Sequence, residues 1–195
     1  KLTIPDIDPN VIYSSEYLYL TGYLWDTESQ KKAVLNALDE AKKFDIKVAL
    51  SLSDPFCVTR HKDDFINLLK GYANMVFCNQ EEAFSLIETE ITHKSIEILS
   101  GWTETVALTL GANGALISHQ GETFYIDPLP VRVEDTTGAG DAFAAGFLYG
   151  MTHDMNALDS GRIGASMAAG VISQTGSRYL GNTQKLIKEK LGIIL

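Results

Sequence analysis

The strongest constraint on this chain is a recurring alternation. A short, almost wholly apolar segment is followed each time by a longer stretch with its apolar residues on one helical face. The short segments are Tyr17-Leu18-Tyr19-Leu20-Thr21-Gly22, Lys47-Val48-Ala49-Leu50-Ser51-Leu52, Met75-Val76-Phe77-Cys78 and Thr105-Val106-Ala107-Leu108-Thr109-Leu110. Each is the right length for a strand and is bounded by turn or helix signals, which suits strands buried on both faces. After the first, Thr27 and Gln30 are spaced as a capping box, and Val34, Ala37, Leu38 and Ala41 follow at i, i+3, i+4, i+7. That is the stripe of a helix lying on a sheet. Ser53-Asp54-Pro55 reads as a turn closing the second strand. Asp63 to Tyr72 and Glu81 to Glu88 read as further helices. Strands separated by helices specify a parallel α/β sheet covered on both faces, with right-handed crossovers.

Beyond the fourth strand, Ala115 to Ser118 and Glu122 to Ile126 flank Gln120-Gly121 as a hairpin. Gly140 to Met151, Asn156 to Gln174 and Thr183 to Leu191 then read as helices. No fixed-period repeat, low-complexity tract or long linker interrupts the 195 residues, so one domain is expected. Twenty-five acidic against sixteen basic residues leave a formal charge of −9. This balance gives no electrostatic footprint for nucleic acid or anionic lipid. No apolar run is long enough to cross a membrane as a helix. Cys57 and Cys78 sit among apolar neighbours and read as buried, reduced thiols, which fits a cytoplasmic location. The chain opens at Lys1 with no signal-peptide pattern, and it reads as a processed or partial chain.

In open α/β sheets, ligands gather beyond the carboxyl ends of the strands. Three segments there carry chemistry-bearing residues. In Asp135-Thr136-Thr137-Gly138-Ala139-Gly140-Asp141, small residues immediately precede a helix. Amides without side-chain obstruction, beside the positive end of a helix dipole, make an anion cradle. Asp141 is either an ordinary first-turn carboxylate or a proton acceptor beside that cradle. Asn79 and Glu82 are either a capping pair or oxygen ligands of hydrated Mg²⁺. In Thr109-Leu110-Gly111-Ala112-Asn113-Gly114, the glycines serve a tight turn or let a nucleotide lie against the backbone.

Other chemistries find no support. The chain lacks a Walker A sequence, and Phe143 stands where a dinucleotide fingerprint needs its third glycine. There is no G-x-S-x-G elbow. His61, His93, His119 and His153 are scattered without zinc-ligand spacing. Tyr17, Tyr19, Tyr23 and Trp25 read as core rather than a base-stacking platform, and Trp102 as packing.

Taken in order, the three segments resemble the ribokinase-like, or PfkB-type, family of carbohydrate and nucleoside kinases. The resemblance runs from about Tyr17 to near the C-terminus. Its most specific element is Asp135-Thr136-Thr137-Gly138-Ala139-Gly140-Asp141. Ser51-Leu52-Ser53-Asp54-Pro55-Phe56 and the stretch Ala168 to Gly176 look like the adenosine kinase-like branch. The resemblance implies a three-layer α/β/α fold with a mostly parallel sheet. It implies Asp141 as the base that takes the acceptor hydroxyl proton. The amides of Gly138, Ala139, Gly140 and Asp141 would form the anion hole. Asn79 and Glu82 would act on Mg²⁺, largely through water. Thr109, Gly111 and Gly114 would border ATP, with Gly176 helping to enclose the adenine. Asp135 and Thr137 fall where many members hold a monovalent cation such as K⁺.

The implied substrate is a small sugar or nucleoside. Nothing before Tyr17 resembles the additional N-terminal units and β-lid with which family members normally begin. The expectation is therefore the C-terminal part of a longer kinase, associated with that N-terminal part or paired as a homodimer. A kinase-like fold that binds nucleotide without transferring phosphate is the competing expectation.

Overall fold

A computed structural model of the protein describes residues 2–193. Six strands run in chain order across one sheet: β1 (Tyr17–Thr21), β2 (Lys47–Ser51), β3 (Met75–Asn79), β4 (Thr105–Thr109), β5 (Ala115–His119) and β6 (Glu122–Ile126). The sheet is mostly parallel and the fold is the three-layer α/β arrangement that the alternation specifies. The chain divides into two compact units, residues 1–106 and 107–195.

In the first unit, β1, β2 and β3 pair in parallel, with Leu20 opposite Leu50 and Leu50 opposite Val76. The helices are α1 (Pro9–Tyr13), α2 (Glu28–Lys43), α3 (Pro55–Arg60), α4 (Lys62–Gly71), α5 (Gln80–Ile87) and α6 (Thr92–Ser100). Thr27 caps α2 by accepting from the Gln30 amide, while Glu28 and Lys42–Lys43 complement the dipole at its two ends. The predicted stripe, Val34, Ala37, Leu38 and Ala41, is the buried face. Leu38, Leu50, Phe65 and Leu69 are at most 2% exposed; each such side chain contributes about 1.5–3 kcal/mol through apolar area removed from water.

Three helices of this unit were not expected: α1, whose start is capped by Asp8 with Pro9 at the first helical position, α3 and α6. Ser53-Asp54-Pro55 is a helix start rather than only a turn: the Asp54 carboxylate accepts from the Cys57 amide at 2.8 Å, and Pro55 occupies the first helical position. The missing proline N–H is one that a helix leaves unpaired there in any case. Helix α6 starts without a side-chain cap at Ile91 and buries only Ser95, Ile96 and Leu99, so its sequence carries little helical punctuation. Trp25 is core as expected, packed on Phe65 and donating to Asp64 at 3.0 Å, whereas Tyr23 is half exposed. Both cysteines are buried and neither is in a disulfide.

In the second unit, β5 and β6 form the expected antiparallel hairpin, with Gln120 and Gly121 both at positive φ. That pair of conformations matches the twist of a two-residue hairpin turn. The helices are α7 (Ala139–Thr152), α8 (Ala157–Ile172) and α9 (Thr183–Leu191). Helices α7 and α8 meet backbone to backbone: a Cβ on Gly146 would lie 2.9 Å from the Gly164 Cα. Small residues at this crossing bring the start of α7 and the last turns of α8 to one cavity. Among the described residues, no helix is long and apolar enough to cross a membrane.

Candidate active site

In the second unit, a cavity of about 590 Å³ is lined from three directions. Thr109, Gly111, Ala112 and Gly114 come from the β4–β5 connection, and Pro128 to Val131 with Val133 from the segment after β6. Ala139, Gly140 and Phe143 of α7 face Ala165, Ala168, Ala169 and Ile172 of α8 across it. Its volume lies in the range of small-molecule sites, and its walls are mostly apolar with backbone polar groups at two edges. The segments singled out in the sequence at Thr109–Gly114 and at Ala139–Gly140 therefore share one pocket.

The two glycines of the β4–β5 connection have different work. Gly114 has φ +82°, and a Cβ there would come within 2.0 Å of the Ile126 carbonyl oxygen. It is a close-approach position that lets the connection press on the end of β6. Gly111 also has positive φ but faces open space, as a residue must where a ligand lies against the backbone.

The turn into α7 is built around Asp135. One carboxylate oxygen accepts from the Thr137 amide at 2.9 Å and the other from the Gly176 amide at 3.0 Å. These amides hold the carboxyl below the usual carboxylate range. The Ile172 carbonyl at the end of α8 accepts from the Glu134 amide at 2.8 Å, a second tie between the same two loops. Gly138 is the N-cap at φ +81°, with the Ser177 carbonyl 2.6 Å from where a Cβ would stand.

Of the four amides expected to form an anion hole, that of Ala139 donates to the Thr136 carbonyl at 3.2 Å and so belongs to the turn. Gly140 follows at the cavity edge, in the first turn of a helix whose leading amides have no intrahelical acceptor. Asp141 comes next, exposed in the same turn. Gly176 does not line the cavity; it is held beside the Asp135 carboxylate. Both oxygens of Asp135 accept amide hydrogens, so Asp135 ties the turn at Thr137 to the loop at Gly176.

In the first unit, Asn79 and Glu82 form a complete capping box at the start of α5. The Glu82 amide donates to Asn79 Oδ1 at 2.9 Å, and the Asn79 amide donates to Glu82 Oε2 at 3.0 Å. Asn79 Nδ2 donates to Glu82 Oε1 at 2.7 Å. Glu82 is only 6% exposed. Burial pushes its carboxyl up to about 7, against the Asn79 amide that lowers it, and the charge of nearby Asp54 adds to the rise. A buried carboxyl beside a second carboxyl fits a hydrated divalent cation, which would keep the pair ionised. The capping and cation readings of these residues are thus compatible.

Two features escaped sequence reasoning. Asp54, read as part of a turn and of the stretch that resembles the adenosine kinase-like branch, caps α3 and sits within electrostatic reach of Glu82. His61 was set aside for want of zinc-ligand spacing to another histidine, but it stands four residues after Cys57 and beside Asp26. The cysteine-to-histidine interval was the signal available for it.

The three-layer α/β fold thus sets a cavity at a helix N-terminus with a carboxylate in that helix's first turn, an arrangement chemically able to receive an anion. The chain belongs to the pfkB family of carbohydrate kinases, whose model matches residues 8–184. It is 24% identical over 184 residues to the 5-dehydro-2-deoxygluconokinase of Clostridium botulinum, covering 89% of this chain and 54% of that protein. The solved structure of a probable sugar kinase from Rhizobium etli superposes with TM-score 0.93 at 34% identity, over 96% of this chain and 58% of that one. The adenosine kinase of Sinorhizobium meliloti superposes equally, TM-score 0.93 at 33% identity, over 97% of this chain and 58% of that one. The chain thus spans little more than half the length of these relatives.

Proposed function

We propose that this chain is the nucleotide-binding and catalytic part of a kinase that moves the γ-phosphoryl group of ATP to a hydroxyl group. The acceptor is an adenosine-like nucleoside or a ribose- or fructose-type sugar. The observation that carries this reading is the single cavity shared by Thr109, Gly111, Gly114 and Gly140, with Asp141 next in the helix. Apolar walls suit a purine and its ribose, and Gly111 admits close backbone contact. The phosphates then point to the positive end of α7.

Transfer in this site needs positioning, charge stabilisation and a proton acceptor. The Asp141 carboxylate takes the proton of the acceptor hydroxyl as its oxygen bonds to the γ-phosphorus. The bond from that phosphorus to the β,γ-bridging oxygen breaks, and ADP departs with the electron pair. Amides of the Gly138–Asp141 turn stabilise the charge on the moving phosphoryl oxygens. Mg²⁺ would supply neutralisation of phosphate charge. Asn79 and Glu82 would hold a hydrated divalent cation through water, a role the buried Glu82 carboxyl supports.

The names of two relatives, a 5-dehydro-2-deoxygluconokinase and an adenosine kinase, support a sugar-type or a nucleoside acceptor in turn. The deciding experiment is Mg²⁺-dependent transfer from ATP by the complete gene product, across nucleosides, ribose and fructose phosphates, beside an Asp141→Asn variant. Transfer to one acceptor, lost in the variant, is the expected result. ATP binding without transfer to any acceptor would replace this reading by a nucleotide-binding regulatory module.

A further inference from the structure

A second set of ligating atoms lies in the first unit, and phosphoryl transfer makes no use of it. The Cys57 sulfur, a ring nitrogen of His61 and a carboxylate oxygen of Asp26 lie within 4.8 Å of one another. They come from two segments that leave neighbouring strands. Asp26 ends the 3-10 turn Gly22–Trp25 after β1; Cys57 lies in α3 and His61 caps its C-terminal end, after β2. Four residues along a helix return to the same face, so Cys57 and His61 form a two-ligand arm.

Both segments are held before any ion arrives. The Cys57 amide is fixed by Asp54 Oδ1 at 2.8 Å, and the His61 amide donates to the Cys57 carbonyl at 3.1 Å. The Gly22 amide donates to Ser53 Oγ at 2.8 Å, and the segments run so close that a Cβ on Gly22 would meet the Leu52 carbonyl at 2.6 Å. His61 Nε2 and Asp26 Oδ1 are 3.2 Å apart, which matches the separation of about 3.3 Å between two ligands on a tetrahedral zinc ion. Cys57 Sγ donates to the Gly22 carbonyl at 3.2 Å, and Arg60 donates to Asp26 Oδ1 at 2.8 Å. Asp26 and His61 are partly exposed, at 40% and 22% of their side chains, which leaves an approach from solvent.

We propose that Asp26, Cys57 and His61 form a site for a divalent cation of the zinc class, clamping the turn after β1 to α3. The sulfur selects a borderline-soft ion over Mg²⁺, which prefers oxygen alone. On binding, the Cys57 S–H bond breaks, its proton passes to solvent and the sulfur electron pair forms the metal bond. Thiolate and carboxylate together balance the two positive charges, neutral imidazole is the third ligand, and water completes the shell. Arg60 competes with the ion for Asp26.

The test is a Co²⁺ titration of the complete gene product, stripped by chelator and without nucleotide, followed by absorbance. One equivalent of Co²⁺ is expected to give a thiolate-to-cobalt charge-transfer band and the visible bands of a four-coordinate ion. Zn²⁺ should abolish both, while excess Mg²⁺ should not. Cys57→Ser and His61→Ala should each weaken binding at least tenfold, Cys78→Ser should leave the band intact, and Arg60→Ala should tighten binding several-fold. If Cys57→Ser does not fold by circular dichroism, His61→Ala and Asp26→Ala at the partly exposed positions decide. A wild-type protein without the charge-transfer band, a band that survives His61→Ala and Asp26→Ala, or one that Mg²⁺ displaces would overturn the proposal. None of these readouts depends on kinase activity.

Discussion

The carboxylate of Asp135 and the amide of Gly176, 41 residues apart in sequence, meet at 3.0 Å. Through this bond and the shorter one to Thr137, one side chain ties the turn into α7 to the loop beyond α8. Asp135→Ala removes both ties and should lower kcat/KM for ATP by on the order of tenfold to a hundredfold, because small misplacements at a reacting centre are costly. Asp135→Asn keeps one acceptor oxygen and should fall between wild type and alanine. Steady-state kinetics with ATP varied check the order; equal values for all three proteins would mean that the tie does not position the turn.

Asp141→Asn keeps the shape of the side chain and removes its proton affinity. General-base removal typically costs about 10²–10⁴-fold in rate. The expected outcome is a kcat reduced in that range with the Kd for ATP changed by no more than a few-fold, read by turnover and by calorimetric titration.

Gly138 and Gly140 stand two residues apart in the same turn, yet should respond differently to alanine. At Gly138 the backbone has φ +81° and a Cβ would collide with the Ser177 carbonyl at 2.6 Å; at Gly140 nothing lies within 4 Å. Gly138→Ala should destabilise the fold by about 1–3 kcal/mol. Gly140→Ala should stay within about 0.5 kcal/mol of wild type. Urea denaturation distinguishes them, and equal midpoints would contradict the geometry.

Glu82 gives the stability a pH dependence with a definite sign. Its folded carboxyl titrates at about 7 against an ordinary 4.5, so between these values the folded state binds the proton more readily than the unfolded one. Stability therefore falls as pH rises through that window, by at most roughly 3 kcal/mol from this group. Glu82→Gln, measured in chelator so that no cation holds the carboxylate, should flatten the slope between pH 4.5 and 7. An unchanged slope would place the dependence elsewhere.

Much of the fold was legible because its signals are local. The Thr27 cap, the Val34–Ala41 stripe, the Gln120-Gly121 turn and the Asn79–Glu82 box each lie within one turn of chain and appear as read. The misses have physical causes of the same kind. Asp54-Pro55 punctuates a turn and a helix start equally well, and α6 begins at Ile91 with no polar cap to announce it. For the site, small residues before α7 and glycines after β4 pointed to one pocket without revealing its apolar far wall from α8.

By itself, the sequence determined the six strands and most of the helices, where the small-residue turn before α7 lies and which carboxylate follows it. Periodicity, caps and the small-residue run act over a few neighbouring residues and need no distant partner. Tertiary structure decided what those residues meet. It assigned both Asp135 oxygens to amides, set Glu82 beside Asp54 in a buried place, and brought Asp26 to Cys57 and His61. Most of those outcomes depend on burial and on contacts between distant parts of the chain, as in the 41 residues that separate Asp135 from Gly176 and the 35 that separate Asp26 from His61. No local pattern encodes such contacts, because they exist only once the strands that carry them have paired.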